Sequence, residues 1–180
     1  MFLSGNQIYI RFLKDTDAES LLDLHLANKE FFQRYSPVFK DDYYTLDSKR
    51  KYISDSFVKR ENDQLYSFGI FLKNSDKLIG DVSLFHICRG ALQKCLIGYT
   101  LDKLHNGKGY ATEAVVLAVD FAFDGLKLHR VEAGVMPENK GSMRVLEKAG
   151  FHEEGLEQKG IRINGQWEDH QIFAVISAIN

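Results

Sequence analysis

Two glycines one residue apart, in the stretch HNGKGYATEA at residues 105–114, stand between the strand-like CLIGYTLD and the run VVLAVDFAF. No other feature constrains the fold as much. The chain must leave a strand, turn within a few residues and enter a helix that is apolar nearly all round, so that helix has to be buried on several sides. The turn can be a plain connection. It can equally be an anion cradle, because a helix N-terminus exposes unpaired N–H groups at the positive end of its dipole. Gly107 and Gly109 would let a bulky anion approach the backbone closely, Lys108 would add a mobile positive charge, and Thr112 a hydroxyl donor.

The elements around this turn follow from periodicity. QIYIRFL places Ile8, Ile10 and Phe12 on one face of a strand. A helix is predicted over TDAESLLDLHLANKEFF, with Thr16 and Glu19 at capping-box spacing. A second is predicted over TLDSKRKYISDSFVKRE, with Leu46, Ile53 and Phe57 on its apolar stripe. LYSFGIFLK and LIGDVSLFHI read as a hairpin around NSDK, QKCLIGYTLD as the next strand, and HRVEAGVM as another. NKGSMRVLEKAGF is a short helix stopped by Gly150. The tail EGLEQKGIRI-NG-QWEDHQIFAVIS is a hairpin turning at Asn164 and Gly165. The order β-α-α-β-β-β-α-β-α-β-β makes an α+β fold, a mixed sheet with helices packed on it.

At 180 residues with no internal repeat or linker, a single domain over 1–180 is expected. The formal net charge of −2 gives no general attraction to nucleic acid or to an anionic membrane. No run of eighteen apolar residues occurs, and MFLSGNQIYI lacks a signal-peptide layout, so a cytoplasmic location is expected. Cys88 and Cys95 with His86 supply at most three of the four ligands that zinc needs, so no metal site is expected.

Among phosphate-binding patterns, GxxxxGK[ST] is absent, and GKGYAT fails the dinucleotide fingerprint because Thr112 occupies the third glycine position. Glu132 stands about twenty residues downstream, but near the start of its strand and outside any repeated βα unit.

IGYTLDKLHNGKGYATEA followed by MPENKGSMRVLEKAGF resembles the GNAT family of acetyl-CoA-dependent N-acetyltransferases. The family's pyrophosphate loop, Gln/Arg-x-x-Gly-x-Gly/Ala, is matched by Asn106, Gly107, Lys108, Gly109, Tyr110 and Ala111, with Asn106 departing at the first position. The segment from Asn139 through Ser142 to Phe151 is a second hallmark. NKEFFQRYSPV, RGALQKCLIGY and EGLEQKGIRINGQWEDHQIFA are similar to the ribosomal-protein-alanine N-acetyltransferases, over nearly the whole chain. The resemblance implies a mostly antiparallel, splayed central sheet. It also implies acetyl transfer to the α-amino group of a protein N-terminus, a ribosomal protein beginning with alanine or serine, by a monomer or homodimer.

By the same resemblance, the strand with Tyr99, Thr100 and Leu101 splays from the strand with Glu132 to Met136, and its unpaired backbone holds the pantetheine arm. The loop Asn106 to Thr112 holds the pyrophosphate. Asn139 bonds the cofactor arm and Ser142 protonates the leaving thiolate, although both types equally suit a helix N-cap and first turn. An α-amino group needs a general base. Glu132, Glu138 and His86 are the candidates, with Glu132 placed first and its reading as a partner of Arg130 left open. Glu113, in a first helical turn, reads as structural. Without an accessible cysteine nucleophile, direct transfer in a ternary complex is expected. The acceptor slot is expected between the N-terminal helices, the Cys88 to Cys95 hairpin and the final hairpin near Trp167. Phe31, Phe32, Tyr35, Tyr43 and Tyr44 are candidate walls, and Glu168 and Asp169 candidate attractants for an ammonium group. Two rival readings keep the fold: transfer to a small amine or amino acid, and acyl-CoA binding without turnover.

Overall fold

Alternation along each strand decides which residues enter which core. In β2 (Ile8–Phe12), Ile8 and Ile10 are fully buried on one side, while Tyr9 between them packs on the other. In β3 (Leu65–Leu72), Phe68 and Ile70 join the first set and Phe71 the second. The computed structural model describes residues 1–178, and the last two residues of the expected 1–180 domain lie outside the described residues.

With β1 (Phe2–Ser4), β4 (Leu78–Cys88), β5 (Lys94–Leu101), β6 (Arg130–Val135), β7 (His152–Ile163) and β8 (Gln166–Ile176), these strands form an eight-stranded sheet. Its order is β1-β2-β3-β4-β5-β6-β8-β7. The β5–β6 pair alone is parallel, and it is short: Lys94, Cys95 and Leu96 face Arg130, Val131 and Glu132. Beyond that point Ile97 to Leu101 pair with β4, and Ala133 to Val135 with β8. The two central strands have parted, as the resemblance implies.

One face carries α4 (Tyr110–Asp120), which runs on into a single π turn at Phe121–Gly125, and α5 (Lys140–Lys148). Ala114, Ala118 and Ala122 are fully buried there beside Val82, Leu84, Val115, Val131 and Leu146. Small residues at this spacing let the helix lie close on the sheet, which is how an apolar helix is covered. The opposite face carries α1 (Ala18–Ala27) and α3 (Leu46–Glu61) over a smaller core of Leu21, Leu24, Ile53, Phe71 and Leu78. Among the described residues no helix is long and apolar enough to cross a membrane.

The local predictions are corrected in four places. The helix expected over residues 16–32 breaks at Asn28 into α1 and α2 (Lys29–Gln33). Asn28 is 1% exposed: its Nδ2 donates to the Leu24 carbonyl at 3.0 Å and its Oδ1 accepts the Lys103 N–H at 3.0 Å, so the break is a tether to the far side of β5. The Thr16–Glu19 capping box does not form, because a 3-10 turn at Asp15–Asp17 precedes α1. There Asp17 accepts the Lys14 N–H at 2.7 Å and both Arg11 nitrogens at 2.6 and 2.8 Å. Phe57 is 56% exposed rather than core, and the buried residue of α3 beside Ile53 is Lys49. Finally, β1 adds an edge strand that the alternation of QIYIRFL did not signal.

Candidate active site

Gly107 and Gly109 both take positive φ, 76° and 85°. Such angles strain any residue with a Cβ, and glycine meets them freely. A Cβ placed at either position would meet no protein atom within 4 Å, so what lies in front of this backbone is open space. The first backbone bond of α4 runs from the Glu113 N–H to the Gly109 carbonyl at 3.0 Å. The N–H groups of Tyr110, Ala111 and Thr112 lie ahead of it, where a helix offers no acceptor. Lys108 Nζ reaches the Leu104 carbonyl at 3.2 Å, beside this turn. Chemically the site suits an anion, and the diphosphate of coenzyme A fits it in both charge and backbone approach.

Two contacts hold the cradle in place. The Glu113 carboxylate accepts the Gln7 N–H at 3.0 Å, tying the first turn of α4 to the β1–β2 turn, which agrees with its structural reading. Asp102, where β5 ends, accepts the Leu104 N–H at 3.2 Å and meets His105 Nδ1 at 3.0 Å. Burial works against its ionisation, but these bonds and the one from Asn28 outweigh it and hold the carboxyl low.

Across the splay the side chains reconnect what the backbone has left open. Tyr99, on β5, places its hydroxyl 2.8 Å from Ser142 Oγ and 3.1 Å from the Ser142 carbonyl in the first turn of α5. Burial pushes the Tyr99 phenol up to about 12, so it stays protonated through the neutral range. Asn139 caps α5 by accepting the Ser142 N–H at 3.2 Å. Asn139 is thus a cap in this structure, and Ser142 is oriented from both ends.

On the opposite face Thr100 Oγ1 donates to Asp81 Oδ2 at 2.6 Å. These two close a cavity of about 190 Å³ walled by Leu21, His25, Phe32, Phe39, Tyr43 and their neighbours Ser36, Tyr44 and Tyr52. Of the five aromatics expected to form a slot, Phe32, Tyr43 and Tyr44 line this cavity, and Phe31 and Tyr35 do not. The final hairpin closes onto α2 through its turn, Gln33 Nε2 donating to Asn164 Oδ1 at 2.9 Å and Asn164 Nδ2 to the Gln33 carbonyl at 3.0 Å. Trp167 is 60% exposed, and Asp169 is occupied by the Lys159 N–H at 2.8 Å.

The family model for the acetyltransferase (GNAT) domain matches residues 7–152. The chain belongs to the GNAT acetyltransferase family. It is 58% identical over 175 residues to the probable N-acetyltransferase YjcK of Bacillus subtilis, covering 97% of each chain. It is 30% identical over 176 residues to the ribosomal protein uS5-alanine N-acetyltransferase of Escherichia coli, covering 96% of this chain and 89% of that one. Mycobacterium smegmatis RimJ, solved in complex with CoA-disulfide, shares the fold with a TM-score of 0.90 at 28% identity, covering 94% of this chain and 82% of that one. The chain is therefore an acetyltransferase, as the resemblance implies, and a neighbour that holds coenzyme A agrees with acetyl-CoA as the donor.

The base candidates fare differently in this GNAT site. Glu132 sits where β5 and β6 still pair. Its carboxylate accepts Arg130 Nε at 2.6 Å and faces Lys94 Nζ at 3.1 Å. Burial alone would raise its carboxyl, but Arg130 and Lys94 outweigh that and hold it below the usual range. A carboxylate so paired is a weak proton acceptor, so the geometry gives Glu132 its other reading, the partner of Arg130. Glu138 is exposed, and His86 is exposed at a positive φ of 51° in the β4 irregularity, on the paired rather than the parted end of β5. Two buried residues that line or underlie the cavity escaped the sequence reading, His25 and Lys49. Lys49 sits between Ser48 and Arg50, where nothing in the local pattern marks it as buried, and His25, between Leu24 and Leu26, is a residue type that the apolar stripe of α1 does not count.

Proposed function

We propose that the chain, acting as one domain over residues 1–180 in the cytoplasm, moves the acetyl group of acetyl-CoA to the α-amino group of a protein N-terminus. The acceptor class is a ribosomal protein with a small first residue, alanine or serine. What supports the acceptor class is likeness along 96% of the chain to an enzyme named for that reaction. The observation that carries the reading is the double placement of Thr100. Its strand edge faces the splay that β6 has left, and its side chain lies on Asp81 in the aromatic cavity. A cavity of about 190 Å³ holds about six waters' worth of volume. That suits one small residue, with a carboxylate for its ammonium and aromatic faces that favour a cation.

Acetyl-CoA supplies an acyl group activated as a thioester. The amides of Gly107 to Thr112, with Lys108 and the side chain of Asn106, hold the diphosphate. The open edges of Tyr99, Thr100 and Leu101 receive the pantetheine arm as a strand partner would. Asn139 sets the start of α5, and Ser142 presents its hydroxyl as the proton donor for the departing sulfur, backed by Tyr99. Direct transfer is favoured by the state of Cys95, which is 1% exposed with its thiol pushed by burial up to about 12 and so offers almost no thiolate for an acyl-enzyme route, whereas Cys88 is only half-buried, at the end of β4.

Incubation with acetyl-CoA and a panel of N-terminal peptides and small amines, read by thiol release, tests the proposal. Peptides beginning with alanine or serine are the expected acceptors, and Asp81→Asn should raise their KM about tenfold or more without changing acetyl-CoA affinity. Turnover of small amines with no peptide activity would overturn the acceptor class.

A further inference from the structure

His170, in β8, is a buried imidazole, 4% exposed, outside both the glycine cradle and the aromatic cavity. Its Nδ1 lies 3.2 Å from the Glu168 carbonyl, an acceptor that only a protonated nitrogen can satisfy. This assigns the neutral ring a tautomer with the proton on Nδ1 and a lone pair on Nε2. Among the described residues no hydrogen bond engages that Nε2. The ring also has a defined place. A Cβ on Gly134 would lie 3.6 Å from His170 Cβ and 3.7 Å from its Cδ2, the ring carbon bonded to Nε2. Gly134 belongs to the stretch of β6 that has parted from β5, and it is exposed although its strand is interior. The imidazole therefore stands over the mouth of the splay. It is on the same sheet face as Glu132 and Gly134, opposite the side from which Ser142 approaches.

From this geometry we infer that His170 is the general base of the acetyl transfer. The inference rests on the reading of the chain as an amine acetyltransferase, but not on which amine is the acceptor. The acceptor enters as an ammonium. His170 Nε2 takes one of its protons, so that an N–H bond breaks and the electron pair stays on nitrogen. That pair forms the new bond to the acyl carbon as the carbon–sulfur bond breaks. The sulfur leaves with that bond's electrons and takes a proton from the Ser142 side of the site. The second nitrogen proton lost in forming the amide replenishes that donor, and His170 releases its own to solvent, so one proton is set free per turnover. The charged groups on the elements packed against the ring are few. Glu157 pairs with His170 in β7, with its side chain turned over Gly160, and Glu168 precedes His170 by two residues on β8. Glu132 on β6 is committed to Arg130 and Lys94. His170 thus has one face toward the site, and among the described residues no ion pair sets a cation against the ring to block a proton.

The test is His170→Gln, which keeps polarity and near volume, alongside His170→Asn in case one fails to fold. Both variants are checked by thermal unfolding and by coenzyme A affinity. The expected result is a kcat about 10² or more lower in the variants with coenzyme A affinity within about threefold, and loss of the acidic limb of the kcat–pH profile. Independently of activity, long-range proton–nitrogen NMR correlations on the wild-type protein should show Nδ1 protonated and Nε2 bare. A folded variant that keeps its rate within threefold and its acidic limb would overturn the inference, as would an Nε2-protonated ring in the wild type. If the wild type turns over a small amine and no peptide, the proposed acceptor fails while this test still reads His170.

Discussion

Tyr99 Oη and Ser142 Oγ are 2.8 Å apart, joining β5 to the first turn of α5 over the gap where β6 has left its partner. Since burial keeps the phenol protonated, Tyr99 can donate to Ser142 and make its hydroxyl a better proton source. Removing the phenol oxygen alone, in Tyr99→Phe, should lower kcat roughly tenfold, and Ser142→Ala should lower it by about 10² or more. Acetyl-CoA affinity should hold within threefold in both. Steady-state thiol release with isothermal titration separates the two effects, and equal rates in all three proteins would remove Ser142 from the acid role.

Gly109 carries φ 85° at the entry to α4, with open space where a Cβ would stand. Valine there meets no protein atom, so it should fold with a penalty of about 1–2 kcal/mol for the left-handed backbone. The same side chain would project toward the bound diphosphate. Coenzyme A affinity should fall by well over tenfold, read by calorimetry on the folded variant. Unchanged affinity would refute the cradle.

Asn28 spans from the Leu24 carbonyl to the Lys103 N–H, and Lys103 opens the 3-10 turn that feeds the cradle. Asn28→Ala leaves a buried carbonyl and a part-buried amide without these partners and should destabilise the protein by about 1–3 kcal/mol in denaturant unfolding. Coenzyme A binding should weaken as well. Asn28→Asp keeps the acceptor for Lys103 and loses only the donor to Leu24, so it should keep cofactor affinity. The same affinity loss in both variants would show that the tether to Lys103 does not position the loop.

Lys49 is 1% exposed, its ammonium 3.1 Å from the Tyr43 ring centre and without a hydrogen-bond partner among the described residues. Burial lowers it to about 8 from an ordinary 10.5, against a smaller opposing pull from Asp81. Between those values the unfolded chain binds a proton that the folded chain does not, so stability from this group rises with pH over that window. Lys49→Met should therefore be the more stable protein at pH 7, by about 1 kcal/mol or more, with the difference shrinking as pH climbs from about 8 to 10.5. A difference independent of pH across that interval would disprove the buried-cation account.

Much of this was legible along the chain because it depends on neighbours in sequence. Period-two alternation placed Ile8 and Ile10 on the buried side, the apolar run from Val115 to Ala122 demanded a covered helix, and Asn164-Gly165 turned the last hairpin at φ values of 49° and 86°. Gly107 and Gly109 advertised a backbone that other residues resist. What escaped depends on partners far away. The break at Asn28 needs Lys103, 75 positions on, and nothing around Asn28 in a run of good helix formers announces it.

The sequence by itself determined the strands of the sheet other than β1, the glycine entry to α4 and the membership of a family, since propensity, periodicity and motif are local quantities. Only the tertiary structure decided that Glu132 is bound up with Arg130 and Lys94, that Lys49 lies beneath Tyr43, and that His170 faces Gly134 at the splay. The proton affinity and reach of a side chain are set by the charges and burial that distant segments bring to it, and no local pattern encodes those.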